Sequence, residues 1–98
     1  MLGTLEEKNI IPSQILLSAY PNPFNPITTL SFSVPNEGMI QVSIYNIAGQ
    51  EIDKLANEFK AAGTYEYTWD ATGYSSGVYF ARLNLNNTFH TNKLVLMK

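Results

Sequence analysis

The residue of this sequence best suited to acid–base catalysis is His90, the one histidine among 98 residues. Nucleophilic catalysis needs a serine, threonine or cysteine beside a base, and the chain contains no cysteine. His90 stands in the middle of a predicted strand, and a zinc site would need three or four protein ligands. We therefore expect His90 to be a structural or surface residue, and we expect neither a metal nor another cofactor.

Two carboxylates, Glu66 and Asp70, have a spacing that invites comparison with glycoside hydrolases, which use a pair of acids about 5–10 Å apart across a cleft. Both stand on the polar side of an aromatic-rich segment. A sandwich of this size has little room for a substrate cleft, so a solvated strand face is the favoured interpretation. The isolated glycines form no phosphate-binding loop. The sequence thus predicts that the protein is not an enzyme.

The composition argues against two further classes of protein. Six basic and eight acidic residues give a net charge of −2 without a basic stripe, which disfavours nucleic-acid binding. No apolar run approaches the ~20 residues that span a bilayer, and residues 1–20 lack the pattern of an export signal. We expect the chain to be the tail of a longer precursor, with residues 1–13 as a linker from upstream cargo and residues 14–98 as one folded domain.

Short alternating segments between turn residues are the main structural signal of the sequence. Leu30, Phe32 and Val34 share one face of such a segment, as strand geometry requires. Seven strands are predicted, over residues 14–19, 28–34, 39–47, 51–59, 64–71, 78–85 and 88–97. Residues 51–59 also carry apolar residues at helical spacing, but their neighbours favour an irregular edge strand. The fold class predicted is an all-β, immunoglobulin-like antiparallel sandwich of about seven strands.

The segment from Tyr20 to Pro26 contains three prolines, which remove three backbone donors. It is therefore predicted to be an ordered, extended or turning segment at a sheet edge rather than a central strand. Five aromatic residues lie outside the core alternation: Tyr20, Phe24, Tyr45, Phe59 and Tyr74. Exposed rings on a sandwich often stack on sugars, so carbohydrate binding remains an alternative, although no two of these rings alternate along one strand face.

Several short motifs follow one another in a fixed order. They are YPNPFNP over residues 20–26, IYNI over 44–47, GQE over 49–51, AGTY over 62–65, WDA over 69–71, GVYF over 77–80 with RL over 82–83, and KLVLMK over 93–98. In this order they resemble the type A C-terminal sorting domain of the type IX secretion system. The resemblance runs from about Gln14 to the last residue.

This resemblance implies a signal domain on a secreted or cell-surface protein of a Gram-negative bacterium. The precursor would enter the periplasm through an ordinary export signal and then cross the outer membrane through the type IX translocon. In many relatives a sortase-like cysteine protease removes the domain, and here the cut would fall upstream of about Gln14. The candidate recognition residues are Tyr20, Pro21, Asn22, Pro23, Phe24, Asn25, Pro26, Gly49, Gly63, Gly77, Tyr79, Lys93, Leu94, Val95, Leu96 and Lys98.

Extended segments can add to an unpaired sheet edge, which suggests one mechanism of recognition. We hypothesise that the C-terminal strand, Lys93 to Lys98, forms the recognised surface together with the turn at Gly77. The alternative is a generic immunoglobulin-like or fibronectin III-like accessory module that serves as a spacer or binds carbohydrate.

Overall fold

A computed structural model describes residues 16–98. Seven strands follow one another in it: β1 (Ser18–Tyr20), β2 (Ile27–Val34), β3 (Gly38–Tyr45), β4 (Glu51–Lys60), β5 (Gly63–Asp70), β6 (Gly77–Leu85) and β7 (Thr88–Leu96). The predicted linker over residues 1–13 lies outside the described residues, as do Gln14 and Ile15. No helix in residues 16–98 is long and apolar enough to cross a membrane.

The strands form two antiparallel sheets that pack face to face. The smaller sheet has the order β1-β2-β5, and the larger has the order β4-β3-β6-β7. Connections cross between the sheets after β2, β4 and β5, as in immunoglobulin-like sandwiches. The predicted all-β, immunoglobulin-like fold is therefore confirmed, and β6 is central in the larger sheet because it lies between β3 and β7.

Alternation along the strands fills the core from both sheets. Leu30, Phe32 and Val34 of β2 are fully buried, and they face Ile40 and Ile44 of β3 from the opposite layer. The largest buried side chain is Trp69 of β5. Side chains of this kind each contribute roughly 1.5–3 kcal/mol on burial, and these inward rows hold the two sheets together.

Two strand boundaries differ from the prediction by two residues or more. The first strand begins at Ser18, so Leu16 and Leu17 precede it, and β3 ends at Tyr45 instead of Ile47. Ile47 lies in a turn and is 78% exposed. The turn forms because the Asn46 carboxamide accepts the N–H groups of Ala48 and Gln50 at 3.0 Å each, which ends the ladder before the alternation of the sequence ends.

The ambiguous segment over residues 51–59 is a strand, as its context predicted. β4 pairs with β3 along its length, with register shifts between Val42 and Ser43 and between Ile44 and Tyr45. These irregularities rotate the side chains of β4 relative to a strict two-residue period. They allow Ile52 and Leu55, which are three residues apart, both to pack against the core, whereas Phe59 is 61% exposed.

Candidate functional site

The proline-rich segment and the C-terminal strand, which are at opposite ends of the sequence, lie side by side in the structure. The Phe24 N–H donates to the Val95 carbonyl at 2.9 Å, and the Met97 N–H donates to the Phe24 carbonyl at 2.9 Å. Phe24 is thus paired in parallel with Leu96. We call this contact between residues 20–26 and residues 93–98 the terminal clamp.

Asn22 extends the clamp by one step along β7. Its Nδ2 donates to the Lys93 carbonyl at 2.8 Å, across 71 positions of sequence. Its Oδ1 accepts the Val95 N–H at 3.0 Å. The prolines at 21 and 23 have no N–H to donate, so the side-chain amide of Asn22 supplies the donor and acceptor that a regular strand would offer.

Phe24 fixes the clamp to the core. The sequence placed this ring outside the core pattern and among residues available to sugars, and that interpretation is wrong, because Phe24 is 3% exposed. Its ring lies 5.6 Å from that of Trp69. Phe24 is a single apolar residue in a proline-rich segment and has no apolar residues two positions away. The alternation of apolar and polar residues therefore could not predict its burial.

The far side of the proline segment is tied to the smaller sheet. The buried Thr28 hydroxyl donates to the Pro21 carbonyl at 2.7 Å. The Ala71 N–H donates to the Pro26 carbonyl at 2.8 Å. The segment therefore bridges the two sheets at this side of the sandwich, and the prediction of an ordered edge segment is confirmed.

The last residues of the chain are held by the loop between β5 and β6. The Lys98 N–H donates to Ser76 Oγ at 2.9 Å, and Lys98 Nζ donates to the Thr72 carbonyl at 2.7 Å. Leu94 and Leu96, in between, are buried in the core. Ser76 and Thr72 were not singled out by the sequence, since loop hydroxyls and carbonyls carry no periodic signal.

Gly77 and Tyr79 lie against the same part of β7. Gly77 is opposite Leu96 in the ladder and has φ +153°, a conformation that L side chains rarely adopt. The Tyr79 hydroxyl donates to the Ser75 carbonyl at 2.6 Å, the contact of a tyrosine corner. The Tyr79 ring packs 5.4 Å from Trp69, so both residues are part of the structure around the clamp.

The other two glycines of the candidate set are not part of the clamp. Gly49 has φ +85° in the turn after β3, and its N–H donates to the Asn46 carbonyl at 2.9 Å. Gly63 is opposite Val34 in the ladder, whereas Ile27, next to the proline segment, is opposite Asp70. Gly63 therefore lies at the other end of the sandwich. Tyr20 and Asn25 belong to the clamp segment and are exposed.

The residues considered for catalysis are dispersed. His90 is half-buried in β7, while Glu66 and Asp70 are exposed on β5. The Thr72 hydroxyl and backbone N–H hydrogen-bond to the Asp70 carboxylate and lower its pKa, and Lys98 lowers it further. In the described part of the chain, no group of three or more His, Asp or Glu side chains is placed to hold a metal ion.

The five aromatic rings that the carbohydrate alternative invokes do not lie together on one surface. Tyr20 is 82% exposed on β1 of the smaller sheet, and Phe59 is 61% exposed on β4 of the larger one. Tyr74 is half-buried and donates its hydroxyl proton to the Ile52 carbonyl at 2.9 Å. The rings that the carbohydrate alternative would need thus lie on different sheets or contact the core.

A comparison with protein-family models matches residues 18–97 to the secretion system C-terminal sorting domain. The match runs from the start of β1 to the residue after β7, so it includes both halves of the terminal clamp. A search of curated proteins finds no match for the chain.

Proposed function

This chain belongs to the family of C-terminal sorting domains of the type IX secretion system, and we propose that the translocon recognises its folded sandwich rather than a linear segment. The domain is the sorting signal of a secreted or cell-surface cargo protein. In this proposal it acts as a substrate of the secretion machinery and not as an enzyme.

The terminal clamp is the observation that carries the proposal. Asn22 and Lys93 are 71 positions apart and become neighbours only when the sandwich has formed. Within the C-terminal block, Leu94 and Leu96 are buried, while Lys93, Met97 and Lys98 are exposed. A translocon that required the exposed residues in this arrangement would accept only folded cargo tails.

The clamp also bears on how recognition takes place. The outward backbone groups of Val95 and Met97 already bond to Phe24, and the Lys93 carbonyl bonds to Asn22. Addition of a partner strand along Lys93 to Lys98 would first have to displace the proline segment. We therefore propose that side chains presented by the intact clamp and by the adjoining sheet faces are recognised, with the Gly77 turn holding β6 and β7 in place.

The remaining steps follow from the family resemblance and are part of the same proposal. The precursor reaches the periplasm by a separate export signal and crosses the outer membrane through the type IX translocon. A sortase-like cysteine protease then removes the domain by cleavage in residues 1–13, upstream of the folded part. No nucleic acid or cofactor takes part.

The first experiment fuses the whole 98-residue chain to a periplasm-directed fluorescent protein in a host that has the type IX system. Fluorescence in the medium or on the cell surface is expected in the wild type and is expected to vanish in a strain that lacks the translocon. Retention of a folded fusion inside wild-type cells would contradict the proposal and favour the accessory-module alternative.

A second experiment separates the fold from the linear sequence. Phe24→Asp buries a charge in the core and should unfold the sandwich while every residue of the C-terminal block stays in place. The matched control is Thr68→Asp, which places the same charge at an exposed position of β5. We expect export of the control alone, with circular dichroism to confirm that it is folded. Export of an unfolded Phe24→Asp fusion would show that a linear segment suffices.

A further inference from the structure

The solvent-facing side of the larger sheet carries an arginine held between two aromatic rings. The Arg82 Cζ lies 4.9 Å from the centroid of Tyr45 and 4.4 Å from that of Phe89. A guanidinium is attracted to the faces of aromatic rings and is more weakly hydrated than an ammonium. The two rings thus hold the positive charge at one position on the sheet.

The cations of the described residues divide into those with partners and those without. Lys54 pairs with Glu51, Lys60 pairs with Glu58, and Lys98 donates to a carbonyl. Arg82 and Lys93 form no ion pair with a carboxylate in residues 16–98. Both belong to one face, because Arg82 is opposite Thr91 in the ladder and Lys93 is two residues further along β7.

Apolar side chains surround this positive charge. A concave site of about 230 Å³ beside Arg82 is lined by Tyr45, Ile47 and Phe80, together with Asn46, Gly49 and Thr91. Ile47 is 78% exposed and Phe89 is 51% exposed, so two large apolar side chains flank the arginine in water. Exposed apolar patches of this kind mark protein interfaces, and aromatic residues and arginine are enriched among the residues that dominate binding there.

We infer that this face, centred on Arg82 between Tyr45 and Phe89, docks a protein segment that presents a carboxylate next to apolar side chains. A guanidinium binds a carboxylate through two parallel hydrogen bonds, and the apolar walls would cover the neighbouring side chains. A polyanion is disfavoured, because the face offers two cations on a chain with a net charge of −2. This inference rests on the proposed function, which identifies the partner as a component of the type IX machinery.

The first test compares charge reversals in the fluorescent fusion described above. Arg82→Glu replaces the guanidinium by a carboxylate, and Lys60→Glu makes the same change of charge at the other end of β4, opposite Gly38, as the matched control. We expect Arg82→Glu to lower the secreted fraction by about tenfold or more, as loss of a central interface arginine does, and Lys60→Glu to change it by less than about twofold. Arg82→Lys, which keeps the charge but loses the planar fork, should fall between them.

Each protein is also unfolded thermally, so that loss of docking is separated from loss of structure. Equal secretion of a folded Arg82→Glu fusion and the wild type would overturn the inference and leave the sorting function intact. Absence of type IX-dependent secretion in the wild type would instead refute the proposed function. The two failures are therefore distinguishable in one set of strains.

The second test identifies the partner by photocrosslinking in the same host. A benzophenone amino acid at Ile47 lies at the rim of the site, and the same residue at Thr68 lies on the smaller sheet as a control. We expect a crosslink from position 47 to an epitope-tagged outer-membrane protein of the type IX system, and we expect Arg82→Glu to abolish it. A crosslink to lipopolysaccharide or to a second copy of the fusion, or one that persists in Arg82→Glu, would contradict the inference.

Discussion

The two sheets are joined along their two lateral edges by different kinds of hydrogen bond. Between β7 and the smaller sheet, backbone groups of Phe24 pair with Val95 and Met97 in the terminal clamp. Between β4 and β5, side chains make the contact: Trp69 Nε1 donates to Asp53 Oδ2 at 3.0 Å, and the Tyr67 hydroxyl donates to Glu58 Oε2 at 2.6 Å. We call this second contact the side-chain seam.

The two contacts are therefore sensitive to different changes. Backbone pairing in the clamp does not titrate. It depends on the backbone path of the proline segment, so it is sensitive to substitution of the residues that fix this path. The side-chain seam contains carboxylates and tyrosines, so it is sensitive to single substitutions and to pH. The terminal strand β7 is thus attached to the smaller sheet by hydrogen bonds that do not depend on pH.

The largest effect is expected where the clamp enters the core. Phe24→Ala removes a buried ring that contacts Trp69 and should lower the free energy of unfolding by about 3–5 kcal/mol. Urea unfolding measures this loss. Tyr20→Ala, in the same segment but 82% exposed, should change it by less than about 0.5 kcal/mol. Similar losses in the two variants would show that the ring of Phe24 does not hold the clamp.

The seam should respond next most strongly, at Asp53. Asp53→Ala leaves the indole N–H of the fully buried Trp69 without its acceptor, at a cost of about 1–3 kcal/mol. Asp53→Asn keeps an acceptor oxygen and should lose less. Chemical unfolding followed by tryptophan fluorescence monitors both the stability and the indole itself. Equal losses for the two variants would argue that the charge, and not the hydrogen bond, is what the seam requires.

The polar part of the clamp should show a smaller and more local effect. Asn22→Ala removes the bonds to the Lys93 carbonyl and the Val95 N–H, and we expect a loss of about 1–2 kcal/mol because both groups are near solvent. Hydrogen exchange should accelerate at the Val95 amide more than at amides of β2. Asn25→Ala is the control, since Asn25 is exposed in the same segment. Unchanged protection of Val95 in Asn22→Ala would contradict this role.

The smallest effect is the pH dependence of the seam. Burial and the hydrogen bond to Glu58 raise the pKa of the Tyr67 hydroxyl to about 12, above its ordinary value of 10.0. The neutral hydroxyl is thus favoured in the folded protein, so its contribution is complete below pH 10 and is lost as the pH rises toward 12. The same bond lowers the pKa of the Glu58 carboxyl, whose contribution is lost as the pH falls through that lowered value.

Tyr67→Phe removes the titration of the tyrosine and the hydrogen bond that lowers the pKa of Glu58, so it is the matched variant. Unfolding midpoints of the wild type and of Tyr67→Phe, measured from pH 9 to 12.5, should converge as the pH rises, at about the pKa of Tyr67. A constant difference across that range would mean that the Tyr67–Glu58 bond does not change the ionisation of the tyrosine.

Local patterns were sufficient to predict most strands of the fold. The alternation of Leu30, Phe32 and Val34 predicted a buried face of β2. Asn86 and Asn87, a residue type that tolerates positive φ, form the hairpin turn between β6 and β7 with φ values of 49° and 69°. Both features depend only on residues close in sequence. Side chains alternate with a period of two along a strand, and the turn needs residues that tolerate positive φ. The same patterns failed at Ile47, where hydrogen bonds of Asn46 end the strand early.

The candidate site shows the limit of such patterns more clearly. The sequence predicted that residues 20–26 and 93–98 matter, through a family resemblance, but it gave no reason for the two blocks to meet. It also placed Phe24 outside the core, and it had no means of bringing Arg82 between Tyr45 and Phe89. Those three residues come from β6, β3 and β7, so their proximity depends on strand order and register.

The sequence by itself determined the all-β class, most strand positions and the membership of a sorting-domain family, because each of these depends on short-range periodicity or on motif order. Only the tertiary structure decided which residues share a surface. Asn22 reaches Lys93 and Val95 across more than 70 positions because the proline segment crosses from one sheet to the other. Contacts at that separation follow from the packing of two sheets around one core, and no local pattern carries them.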